Sequence, residues 1–188
     1  YTTRHFGKLH GELGGNYQER NTNTVLKAII LLRKTFNISH DNVEEGFKDV
    51  TKLTRLHGRW EQLRTAPLVI CDTGHNVAGW QWLAPQIKSI ECRNLRIVFG
   101  MVDDKDLNTV MSLLPKNAIY YWTQASTKRA IPVDIIARTG EAHHLSGTKY
   151  TSVADAYQKT ISEATNNDFI FIGGSSYIVA DLLALNVF

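Results

Sequence analysis

Long apolar runs are missing: no stretch of this 188-residue chain approaches the ~18 apolar residues that suggest a membrane span, so membrane insertion is set aside. Cysteine is scarce. Cys71 inside an apolar run and Cys92 behind a helical stretch have neither zinc-type nor redox-type spacing. They read as free thiols and suit a reducing compartment, taken as the cytoplasm. An excess of one charge is lacking too. The formal net charge is +3, and Lys and Arg are scattered rather than gathered into a stripe, which argues against binding nucleic acid. No secretory signal pattern opens the chain, and Tyr1 stands where an initiator Met would, so the chain is expected to begin at a cut. There is no internal repeat and no low-complexity tract. His143 and His144 are adjacent rather than one helical turn apart, so they read as surface residues and no metal ligands are expected.

Two catalytic signatures are also absent. No Gly-x-Ser-x-Gly elbow occurs, which leaves Ser-His-Asp hydrolysis without its usual turn. No Gly-x-x-x-x-Gly-Lys-Ser/Thr loop occurs either, and Gly173-Gly174-Ser175-Ser176 lacks the lysine of a phosphate-cradling loop. A nucleotide bound here would find only part of its site in this chain.

What remains is a globular composition with 43% hydrophobic and 21% charged residues, long enough for one domain or one domain plus a piece of another. After a short alternating segment and Gly14-Gly15, a helix is expected with Val25, Ile29, Leu32 and Phe36 on one face. Ser39 reads as the N-cap of a second helix carrying Val43, Phe47 and Val50. Too few strands precede these apolar stripes to cover them, so residues 1–61 are expected to be the tail of a larger domain. His57-Gly58-Arg59-Trp60 reads as the joint. Beyond it, strands expected over 68–71, 95–100, 118–122 and 169–172 alternate with helices over 77–90, 106–114, 132–141, 152–164 and 176–185. That alternation predicts an α/β fold with a mostly parallel sheet and helices on both faces.

The richest stretch is Leu68-Val-Ile-Cys-Asp-Thr-Gly-His-Asn76, a buried strand that delivers Asp72, His75 and Asn76 to a strand-to-helix turn. Ligands in open α/β sheets bind outside the carboxyl ends of strands. Asp72 is either a cap or Asx-turn residue or an acceptor for sugar hydroxyls. His75 is either a surface histidine or a group that donates to phosphate or carries a proton. Lys105, among acidic neighbours, is a solvated loop residue or a cation for a carboxylate or phosphate. Lys128 and Arg129 carry the same ambiguity ahead of a predicted helix start. Ser175, behind two glycines, is a helix cap or a hydroxyl holding a carboxylate. Right-handed crossovers bring all these turns to one sheet edge.

Together, Gln18-x-x-Asn21, Gly58-Arg59-x-Glu61, Asp72-x-x-His75-Asn76, Asp104-Lys105-Asp106 and Gly174-Ser175-x-Tyr177 resemble the folylpolyglutamate synthase and dihydrofolate synthase family of the Mur ligase superfamily. The resemblance implies a Rossmann-like C-terminal (glutamate ligase) domain over residues 62–188, preceded by the end of the central ATPase domain over 1–61. It implies an ATP-dependent carboxylate–amine ligase that joins L-glutamate to folate or dihydropteroate through an acyl phosphate. It places Asn21 on the adenine side of ATP, Arg59 on the phosphates and Asp72 on the ribose, with His75, Ser175 and Lys105 where glutamate meets the acyl phosphate. The P-loop and the Mg2+ ligands are expected in an upstream domain. The chain departs from the family pattern at Tyr17, His57, Thr73, Gly74 and Val77. Another Mur-type ligase acting on a cell-wall precursor, and a non-catalytic Rossmann-like binding module, remain as alternative readings.

Overall fold

The computed structural model describes residues 1–103 and 105–187, and the chain divides into two compact units, Tyr1–Arg59 and Trp60–Phe188. The division lies ahead of Glu61, which is already paired in the second unit's sheet.

The first unit is small. Strands β1 (Thr2–Thr3) and β2 (Gly7–Lys8) form an antiparallel pair, followed by helices α1 (Gln18–Leu32), α2 (His40–Lys48) and α3 (Val50–Thr54). Phe6, Leu9, Leu26 and Val43 form its core, with Ile29, Ile38 and Phe47 packed against them. The sequence places Phe36 on the first helix, but α1 ends at Leu32, and Phe36 lies in the turn beyond it, its N–H on the Leu32 carbonyl at 2.8 Å. Ser39 caps α2 as expected, accepting the Asn42 N–H, and Asn42 reciprocates. Val50 does not extend α2: the backbone turns at Asp49, with φ −120° and ψ 38°, and Val50 opens α3.

The second unit is built on six strands: β3 (Glu61–Thr65), β4 (Leu68–Asp72), β5 (Leu95–Phe99), β6 (Ile119–Trp122), β7 (Gly147–Lys149) and β8 (Phe169–Gly173). Their order is β3-β4-β8-β5-β6-β7, parallel throughout except for β3, which runs antiparallel to β4. The helices are α4 (Val77–Lys88), α5 (Leu107–Leu113), α6 (Val133–Ala142), α7 (Val153–Glu163) and α8 (Ser176–Leu183).

Alternation along the strands sends successive side chains to opposite faces. Val69, Cys71, Val98, Tyr121, Ile170 and Ile172 pack against Ala156 and Tyr157 of α7 and Ile178 and Leu182 of α8. On the other face the rings of Phe171, Phe99 and Trp122 form a row with Trp80 of α4 between Phe171 and Phe99, at centroid distances of 5.7 and 5.6 Å. Each such buried ring contributes about 1.5–3 kcal/mol by leaving water. Both faces of β4, β5 and β8 are covered, so their sequences are apolar but for Arg96 and the terminal Asp72. Although last in the chain, β8 lies between β4 and β5, and their carboxyl ends meet there.

Candidate functional site

Asp72, the final residue of β4, stands in register with Gly173, the final residue of β8, which also pairs with Phe99 at the end of β5. The turns after these three strands therefore open at one edge. Asp72 is buried, at 2% exposure. Its Oδ1 accepts the Gly74 N–H and its Oδ2 accepts the Trp60 N–H, each at 2.7 Å. The Asx-turn reading of Asp72 is thus realised, and the carboxylate orders the loop that carries His75.

His75 is half-buried, with Nδ1 3.0 Å from the Thr73 carbonyl. A carbonyl only accepts, so Nδ1 is the donor and the neutral ring keeps Nε2 as its acceptor. Asn76 does not reach outward as a recognition amide: its Oδ1 accepts the Gly79 N–H at 2.8 Å and caps α4. Trp80, Leu83 and Ile87 then anchor that helix in the core.

Ser175 is buried at 1% exposure, and its Oγ accepts the Tyr177 N–H at 3.1 Å, which caps α8. Gly174 ahead of it has φ +100°, and a Cβ there would meet the Gly100 carbonyl oxygen at 2.5 Å. Only glycine lets the β8–α8 turn lie so close to the end of β5. The cradle thus formed starts α8 beside the end of β4, with the Tyr177 N–H already held by the Ser175 hydroxyl.

Lys105 is half-buried in the loop before α5, and its carbonyl accepts the Leu107 N–H at 3.0 Å. Asp104, the first residue of the Asp104-Lys105-Asp106 motif, lies outside the described residues. Asp106 caps α5, and the hydrogen bonds from the Thr109 hydroxyl and backbone N–H hold its carboxyl below the usual carboxylate range. Arg129 stands 3.7 Å from Asp103 in an exposed ion pair, and the predicted anion-binding start of α6 is filled by Gln124, whose side chain accepts the Val133 N–H at 2.9 Å. Lys128 is exposed nearby.

In the first unit, Asn21 is exposed on the first turns of α1 and donates to Gln18 Oε1 at 3.0 Å. Both amides border a cavity of about 330 Å³ lined mainly by apolar groups such as Val25, Ile29, Val43 and Phe47, with Thr22 and Asn42 also on its wall. Mostly apolar walls with a few amides suit a flat heteroaromatic ring. Arg59 is half-buried and closes this unit, one residue before Trp60. Among the described residues no group of three or more His, Cys, Asp and Glu side chains could hold a metal ion.

Three features escaped the sequence reading. Trp60 enters the site through its backbone N–H, and nothing in a residue type announces that. Thr73 and Thr123, buried at 8% and 0% exposure behind β4 and β6, have hydroxyls with no hydrogen-bond partner. A polar residue directly after an apolar strand was the available signal for both.

Residues 58–176 match the family model for the Mur ligase glutamate ligase domain. The chain belongs to this Mur ligase family. Relatives of this ligase domain include a "Probable bifunctional folylpolyglutamate synthase/dihydropteroate synthase" of Halobacterium salinarum, 26% identical over 89% of this chain and 20% of that protein. A dihydrofolate synthase/folylpolyglutamate synthase of Escherichia coli is 28% identical over 74% of this chain and 33% of its own length. Among solved structures, a Mycobacterium tuberculosis folylpolyglutamate synthase complexed with ADP and AMPPCP superposes with a TM-score of 0.80 at 23% identity, over 97% of this chain and 42% of its own. The ligase domain shares that fold, and the resemblance carried by its motifs is borne out. The chain spans only about a fifth to two fifths of the length of these relatives.

Proposed function

We propose that this chain is the glutamate-ligase part of an ATP-dependent enzyme that adds L-glutamate to folate, and to dihydropteroate where the enzyme is bifunctional. One observation carries the reading: Asp72 and Gly173 end neighbouring strands in register, so the His75 turn and the Gly174-Ser175 cradle share one edge of a Mur ligase sheet. In this reading Asn21 meets the adenine at the rim of the first unit's apolar cavity, Arg59 the phosphates and Asp72 the ribose. His75, Ser175 and Lys105 attend glutamate and the acyl phosphate.

The chemistry asks for positioning and charge neutralisation more than for covalent help. The γ-phosphoryl group of ATP passes to the substrate carboxylate, leaving ADP. The amine of glutamate then attacks the acyl carbon, and phosphate departs as the amide forms. With Nδ1 of His75 committed to Thr73, Nε2 is the atom that takes a proton from the attacking amine. Arg59 suits the phosphates because a planar multi-donor cation matches their geometry. Magnesium accompanying the nucleotide would supply charge neutralisation, with its ligands on an upstream P-loop domain of the same polypeptide. The reaction fits a reducing cytoplasm, consistent with free Cys71 and Cys92, and no described helix is long and apolar enough to cross a membrane.

Assay of the intact polypeptide with ATP, L-glutamate and, in turn, tetrahydrofolate, dihydropteroate and a muropeptide precursor tests this. Amide formation with a pterin substrate is expected. Turnover only with the muropeptide places the chain among cell-wall ligases, and nucleotide binding without any amide formation makes it a binding module. The 188-residue chain alone is expected to make no amide above a mock control.

A further inference from the structure

We infer that Trp60 is a positioning residue whose ring, seated on β8, fixes the backbone from which Arg59 departs and braces the Asp72 turn. The inference rests on the proposed nucleotide roles of Arg59 and Asp72. Trp60 lies one step beyond the last ladder pair, Glu61 with Cys71, and so falls opposite Asp72. There the Asp72 side chain completes the ladder, Oδ2 taking the Trp60 N–H while Oδ1 takes the Gly74 N–H, both at 2.7 Å. One carboxylate thus ties the residue after Arg59 to the turn that aims His75.

The backbone at this point is unusual. Trp60 has φ +50°, a region that bulky side chains rarely adopt and that persists only where the surroundings over-determine it. The surroundings here are aromatic: the Trp60 ring lies 6.5 Å from Phe169 and 6.0 Å from Phe171, centroid to centroid, tilted by 58° and 39°. Both phenylalanines belong to β8, the strand that ends in the Gly174-Ser175 cradle. Glycine would reach this backbone without strain but would also leave it free to visit others. The indole, packed on Phe169 and Phe171, is what confines the backbone with its N–H on Asp72, and through it the nucleotide side of the site answers to the packing of β8.

Trp60→Gly and Trp60→Phe separate backbone from ring. In the chain itself, native-state hydrogen exchange is expected to show the amides of residues 60 and 74 opening at least about tenfold faster in W60G, and within about threefold of wild type in W60F, with β5 amides unchanged in both. In the intact enzyme, W60G is expected to raise KM for ATP about tenfold while KM for glutamate and the pterin stays put, and W60F restores most of the loss. If W60G also loosens β5, Trp60→Leu, which keeps bulk without an aromatic face, takes its place under the same criteria. Unchanged exchange in the ringless variant, or an equal rise in all three KM values, overturns the inference. A wild-type enzyme that forms no amide overturns the proposed function instead, and the exchange measurement then decides the clamp on its own.

Discussion

At the scale of a single residue, Ser175 has one role that the structure shows and a second that the proposed function adds. Its Oγ accepts a backbone N–H and caps α8, a role worth about 1 kcal/mol when the residue is replaced by alanine. If it also holds a substrate carboxylate, Ser175→Ala loses more than stability. We expect S175A to lower the urea unfolding free energy by about 1 kcal/mol and, in the intact enzyme, to raise KM for glutamate while KM for ATP is unchanged. Loss of the cap alone, with both KM values intact, confines Ser175 to structure. Asp72 shows why residue types announce a site more readily than its wiring. The sequence offered a turn former or a ligand acceptor for it, and the structure makes it the shared acceptor for Trp60 and Gly74. The partner twelve positions upstream is a backbone N–H, and every residue but proline has one. Ser175, by contrast, was legible because two glycines and a hydroxyl before an apolar run leave few other arrangements.

Between elements, a largely buried polar network ties the edge opposite the site. Arg96 of β5 donates through Nε to Asp168 Oδ2 at 2.8 Å, through Nη2 to the Glu163 carbonyl at 2.8 Å, and through Nη1 to the Tyr121 hydroxyl. Tyr121 donates in turn to the Glu163 side chain at 2.6 Å, and burial together with that acceptor pushes its hydroxyl up to about 12. Asp168 also accepts from Asn94 and Thr165, and β5, β6, α7 and the start of β8 meet at the Arg96 guanidinium. Burial alone would raise the Asp168 carboxyl, but the hydrogen bonds from Arg96, Thr165 and Asn94 outweigh it and hold it below its usual value. A carboxyl lowered in the folded state contributes stability above its unfolded value of about 3.9 and loses it as pH falls through the folded one. Arg96→Met leaves an unpaired buried charge and is expected to cost about 3–5 kcal/mol at neutral pH, read by denaturant unfolding. The gap between wild type and R96M should narrow in acid below about pH 4. A gap that stays constant down to pH 2 removes Asp168 as its source.

The elements that bear this network were the legible ones. Strands expected over 68–71, 95–100, 118–122 and 169–172 appear as β4, β5, β6 and β8 with ends moved by a residue, because continuous apolar runs bounded by turns have few other readings. The five helices that follow them also appear. β3 and β7 were not read. Each lies at an edge of the sheet, β7 being three exposed residues and β3 largely exposed, and an edge strand keeps its side chains polar. Nothing local tells such a strand from a loop.

For the whole molecule, the two units differ in how far each covers its own apolar surface. The second buries both faces of its sheet. The first leaves Leu31 at 55%, Phe36 at 58% and Leu53 at 54% exposed, the apolar surface expected of a tail belonging to a larger domain. Isolated exposed apolar side chains are ordinary, so exposure alone does not identify a contact. Substitution separates the two cases. If these side chains meet nothing but water, Phe36→Lys and Leu31→Lys change the unfolding free energy of the chain by less than about 0.5 kcal/mol and leave the intact enzyme untouched. Under the proposed function they seat the upstream ATPase domain. The chain then tolerates both substitutions equally well, while the intact polypeptide carrying them unfolds at lower denaturant and binds nucleotide more weakly. A lysine in a buried apolar contact costs several kcal/mol through desolvation, a difference well outside the error of such a comparison. Equal tolerance in chain and intact protein would exclude this surface as the seat.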